Sequence, residues 1–115
     1  MPPGPTSDPV AVAATDADFD PALGVYAVFV SIAREETVYF RLVVESWEDF
    51  AVARTVERFD PADRARSIVV VMAVPGYLGP CLASLAALCA EVEGRQVPGT
   101  AELRAALRRD LAGPA

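Results

Sequence analysis

Arginine and the acidic side chains are the only strong charges with which this chain can do chemistry, because its 115 residues contain neither His nor Lys. Without His the ordinary general base near neutral pH is missing, and a carboxylate of raised pKa would have to serve. The nucleophile candidates are Cys81, Cys89 and a few Ser and Thr, none with a partner base at a readable spacing. On a helix the two cysteines would sit about 12 Å apart along the axis, too far for a disulfide. With no His and no CxxC pair, a zinc site lacks its ligands. The thiols therefore read as small core side chains in a reducing, cytoplasmic setting. Glu45, Glu48 and Asp49 are close enough in principle to hold a divalent cation or act as an acid and base pair, but read rather as a solvated helix end. No catalytic residue, metal ligand or cofactor is assigned, and the chain is not expected to be an enzyme.

Ligand chemistry has more to work with. Arg54 stands among small apolar neighbours in a run of strand character, so it either reaches a carboxylate such as Glu45 or meets a ligand or a partner subunit. The string GYLG at Gly76 to Gly79 has the form of a GxxG loop but lacks the cations that clamp phosphates. As the start of a helix it still exposes backbone N–H groups suited to a small anion. Glu45, Arg54, Thr55, Gly76 and Tyr77 form the candidate ligand-binding set.

Charge and composition narrow the partners. Net charge is −6, yet four Asp fall before residue 22, where no Arg occurs, and the remainder is close to neutral. A near-neutral body with an acidic lead offers no cationic footprint for nucleic acid. Apolar residues and glycine together make up about 59% of the chain, against roughly 45 to 50% in an ordinary soluble domain. One small core cannot absorb that excess, which points to an oligomer interface or a membrane. Residues 67–90 carry no Asp, Glu, Lys or Arg and are long enough to span a bilayer. Pro75, Gly76, Gly79 and Pro80 interrupt the middle of that run, which favours a strand, a turn and a helix over a small membrane protein.

The elements that must position these residues follow from periodicity. Residues 1–22 hold five Pro and four Asp without an apolar face and read as a disordered lead. Residues 23–33 form a strand buried on both faces. Residues 34–47 fit a strand by propensity, or a helix with Tyr39, Leu42, Val43 and Ser46 on one face and Glu35 and Glu36 in its first turn. Residues 50–59 and 67–74 read as two strands joined by Asp-Pro turn chemistry. Leu78, Leu82, Leu85, Cys89 and Val92 recur at helical spacing. Residues 95–99 read as a turn, and Thr100 caps a short helix with Leu103, Leu107 and Leu111 on one face.

Residues 32–55 resemble a bacterial domain-of-unknown-function family, number four-nine-one-one. The matching positions are Glu36, Val38, Glu45, Ser46, Trp47 and Glu48, then Ala51, Val52, Arg54 and Thr55, within a likeness covering roughly residues 25–93. Asp49 stands where the family usually has Gly, and the loop after Phe59 is longer than typical. The resemblance implies a helix over 34–47, and hence an α+β two-layer sandwich similar to ACT and ferredoxin-like domains, in the order strand, helix, strand, strand, helix. It implies no reaction. The expected layout is a domain over residues 23–95 with a C-terminal turn and short helix over 96–115. Three strands with an apolar outer face should not be stable alone, so a homodimer is expected. Its expected role is a regulatory or ligand-sensing module binding a small anion or amino acid near the dimer interface, the alternative being an assembly module with no small ligand.

Overall fold

The two runs richest in β-branched residues form the centre of the molecule. The computed structural model describes residues 12–47 and 51–113. Among them the order is β1 (Phe19–Asp20), β2 (Val25–Ala33), α1 (Thr37–Glu45), β3 (Ala51–Glu57), β4 (Arg66–Ala73), α2 (Leu78–Val92), β5 (Arg95–Val97) and α3 (Ala101–Ala112). β2 and β4 pair antiparallel from Tyr26↔Ala73 to Ala33↔Arg66. β3 flanks β4, while β1 and β5 share the remaining edge of β2, and every pairing is antiparallel. β2 and β3 therefore run in the same direction with β4 between them, and α1 makes the crossover that such a pair requires. The fold is α+β, consistent with a ferredoxin-like sandwich.

Alternation along the strands sends side chains to two dry faces. The inner face presents Val28, Val30, Ile32, Ala53, Val69 and Val71 to Phe40 and Val44 of α1 and to Cys81, Leu85, Leu88 and Cys89 of α2. On the outer face lie Ala27, Phe29, Ile68, Val70 and Met72, covered by Leu107 of α3 with Leu103 and Leu111 beside it. The segment of ambiguous periodicity is helical, entered through a 3-10 turn at Arg34–Glu36. Its buried face carries Phe40 and Val44 rather than Tyr39 and Leu42, since only the former pair points at the sheet.

Several expectations are corrected. The lead is ordered from Val12 onward: Asp16–Asp18 forms a 3-10 turn and β1 pairs with β2. Two of its acids have partners, Asp18 lying 3.8 Å from Arg104 and the buried Asp20 3.4 Å from Arg108. Residues 1–11 lie outside the described residues. The expected turn at 95–99 contains β5, a strand of three residues too short to show alternation, paired through Phe29↔Val97 and Ser31↔Arg95. The sheet thus has five strands instead of three. α3 is not an appendage to a domain ending at residue 95; it supplies the cover for the outer face, so that face is not bare. The apolar run at 67–90 is divided among β4, a 3-10 turn at Pro75–Tyr77 and α2. Pro75–Val92 is long and apolar enough to cross a membrane by length and composition, and its buried residues close the inner core.

α2 ends at Glu93, which takes the left-handed conformation at φ 54°. Gly94 is needed for closeness rather than for its dihedral, because a Cβ there would lie 3.1 Å from both Cys89 Sγ and Ile32 Cγ2. If α3 belongs to the folding unit, Leu107→Ala should cost about 2 to 5 kcal/mol, measured by urea denaturation. A single cooperative transition is expected to persist at the lower midpoint.

Candidate functional site

β3 is the one long strand among the described residues with an unpaired edge. Its inner side chains are Ala51, Ala53 and Thr55, and Val52, Arg54 and Val56 point outward. A bulge between Thr55 and Glu57 places Glu57 opposite Ile68, which bends the strand where its apolar pattern gives way to polar residues. Two recesses run along this margin, and Thr55 lines both.

The first, about 540 Å³, is bounded by Arg41 and Glu45 of α1, by Val52, Arg54 and Thr55, and by Asp110 and Leu111 of α3. Three of the five sequence-named residues, Glu45, Arg54 and Thr55, therefore share one groove. Of the alternatives for Arg54, the contact with a carboxylate is the one present, though with Asp110 rather than Glu45: Arg54 Nε donates to Asp110 Oδ2 at 2.6 Å. Arg54 points to the outer face, where α3 passes, while α1 lies on the inner one. Gly76 and Tyr77 fall elsewhere, in the 3-10 turn ahead of α2, and do not line the groove.

The second recess, about 800 Å³, is lined by Arg34, Glu35, Thr37, Thr55, Val56, Arg58, Ala65 and Ser67. Thr37 Oγ1 donates to the carbonyl of Arg34 at 2.9 Å, and Ser67 Oγ to that of Arg58 at 2.7 Å. Arg34 and Arg64 lie over the ring of Phe59 at 4.5 and 4.9 Å. Sequence reasoning missed this cluster because its members come from three separate segments. The available signal was the concentration of Arg58, Arg64 and Arg66 around one hairpin turn.

Other polar groups are structural. Buried Ser31 donates to Asp60 Oδ2 at 2.8 Å and accepts from Arg66 Nε at 2.8 Å. Arg66 Nη2 also donates to the carbonyls of Ser31 and Glu93. This network pins the hairpin turn to β2. Tyr39 Oη donates to Glu91, joining α1 to α2, and that hydrogen bond holds its phenol above the ordinary value. Cys81 and Cys89 are free and buried, and burial pushes each thiol from 9.0 to about 11. Neither is a thiolate near neutral pH, which removes them as nucleophiles. Glu48 and Asp49 lie outside the described residues. Among the described residues no cluster of three His, Cys, Asp or Glu could hold a metal ion.

Comparison with protein-family models returned no match, and neither did comparison with curated proteins or with solved structures.

Arg54 and Asp110 are each more than two-fifths exposed, so their pair should contribute little. A double-mutant cycle of Arg54→Ala and Asp110→Ala is expected to give a coupling below about 1 kcal/mol. The thiols set a pH limit. The unfolded chain releases these protons near 9 and the folded chain near 11. Their contribution is thus complete below pH 9 and is lost as pH rises from 9 to about 11. Thermal melts across that range should show the fall, and the Cys81→Ala/Cys89→Ala variant should show a shallower one.

Proposed function

We propose that this chain is a non-catalytic assembly module that acts as a homodimer joined along the margin of β3. The observation that carries this reading is the seven-residue edge of β3, unpaired among the described residues, beside exposed apolar side chains on the adjoining helix. Val38 and Leu42, one turn apart on α1, are 67% and 60% exposed, and Val52 on β3 is 52% exposed. An unpaired edge offers a row of backbone donors and acceptors to another strand. The opposite edge of the sheet is already taken by β1 and β5.

A second copy of the chain is the partner that suits this surface. Two-fold association brings a patch against itself, so the patch must tolerate its own charges. Arg41 and Arg54 balance Glu45 and Asp110 along the groove, leaving that groove neutral in a chain of net charge −6. The reading differs from the sequence expectation in where the copies meet: α3 occupies the outer face, which leaves the strand edge. A reducing cytoplasm suits the two free thiols. A regulatory, ligand-sensing role is the second reading, favoured by the recess that adjoins the same edge through Thr55.

Sedimentation equilibrium tests the assembly. Wild type should have twice the chain mass, and Val38→Glu/Leu42→Glu should be a monomer with an unchanged circular dichroism spectrum, since both positions are exposed. A monomeric wild type at high micromolar concentration, or a dimer indifferent to the double change, would overturn the proposal.

A further inference from the structure

We infer that the recess between the start of α1 and the bulged end of β3 binds a phosphate-type oxyanion carried by a small molecule. Charge is the first argument. The chain is acidic overall, and several of its aspartates are committed: Asp18 and Asp20 to Arg104 and Arg108, Asp110 to Arg54, Asp60 to Ser31. The recess is the exception. Arg34 and Arg58 face it with Glu35 as the one lining carboxylate, and Arg64 adds a third guanidinium beside Arg34 at Phe59. None of these three cations joins an ion pair among the described residues. Gathering like charges without a counterion costs energy that a bound anion would recover.

Preorganisation is the second argument. Two of the three arginines are carried on backbone fixed by a hydroxyl of the recess itself, Thr37 donating to the carbonyl of Arg34 and Ser67 to that of Arg58. The ring of Phe59 restrains the Arg34 guanidinium further. Thr55 lines the recess, and its hydroxyl has no side-chain partner among the described residues. Two planar guanidinium forks and one hydroxyl make a donor set matched to tetrahedral oxygens.

Size is the third. A recess of about 800 Å³ lies in the range of small-molecule sites and exceeds what a bare ion needs. Val56 and Ala65 supply apolar wall for an organic remainder. A nucleic-acid strand fits poorly, because its affinity draws on a longer track of cations than this acidic chain presents.

The probe is inorganic phosphate, titrated at constant ionic strength against chloride and followed by amide chemical shifts of the full chain. Saturable shifts are expected at residues 34–37, 55–58 and 65–67. Arg58→Gln should weaken binding about tenfold or more, as the loss of a charged donor does. Arg95→Gln, on the exposed β5 residue away from the recess, should leave it unchanged. Thr55→Val keeps every charge and should weaken binding severalfold, so it decides the matter if Arg58→Gln fails to fold. Shifts that do not saturate, that survive both recess changes, or that fall equally with Arg95→Gln would overturn the inference. Acetate saturating the same residues more tightly than phosphate would overturn the phosphate assignment. The inference stands apart from the dimer, since the Val38→Glu/Leu42→Glu monomer keeps every residue of the recess.

Discussion

The antiparallel ladder between β2 and β4 is the constraint from which the rest of the molecule follows. Both strands are buried along nearly their whole length and on both faces, so each face must find cover from a chain of only 115 residues. α1 and α2 cover the inner face, which has the wider span. The outer face is left to α3, whose apolar stripe is three leucines wide. That economy makes the third layer the thinnest part of the fold. It also explains the fastenings around it: Thr100 caps its first turn, Asp18 and Asp20 meet its arginines, and Asp110 reaches Arg54. The acidic lead, taken as sequence alone, looks like surplus charge; in the fold it is the counterpart of a basic helix.

Much of this was legible in the sequence, and the illegible part has physical causes. The central strands and α2 announce themselves because burial imposes long, regular patterns. Residues 34–47 satisfy two periods at once, and the choice was made by the need to join parallel strands with β4 between them, a topological demand that no local window contains. β5 was missed because three residues cannot display alternation, and it is a strand only because β2 has an edge to fill. α3 was recognised as an amphipathic helix but not placed, since its stripe says that it packs and not on what. Arg54 reaches a carboxylate as expected, but that of Asp110 and not the example offered, Glu45, for a related reason. Neighbours in sequence were preferred to a residue 56 positions away, and only the side of β3 to which Arg54 points decides between them.

Surface chemistry follows the same logic. Apart from Arg54, the polar groups of this apolar sheet gather where its strands run out, and here they run out together. Thr55, Ser67 and Ser31 stand within two rungs of the hairpin end, and Arg58, Arg64 and Arg66 gather around the turn beyond them. One of these arginines is consumed internally: Arg66 binds two carbonyls and the Ser31 hydroxyl, and so locks the turn onto β2. With the turn locked, Arg58 and Arg64 are held near Arg34 without a carboxylate of their own among the described residues.

On the dimer and the oxyanion site proposed above, the geometry of β3 sets the relation between assembly and ligand. The bulge at its far end turns the strand as it leaves the apolar pattern, so the straight part of the edge, residues 51–55, is left for another strand, and the bent part faces the start of α1. Thr55 stands at the junction and lines the recesses on both sides. A partner strand laid along the edge would fix Thr55 and the backbone carrying Arg58. A ligand held by Arg58 would in turn restrain the last residues of the strand on which the partner pairs. Such coupling is reciprocal by thermodynamic necessity, and it requires no moving part beyond the few residues that β3 contributes to both surfaces.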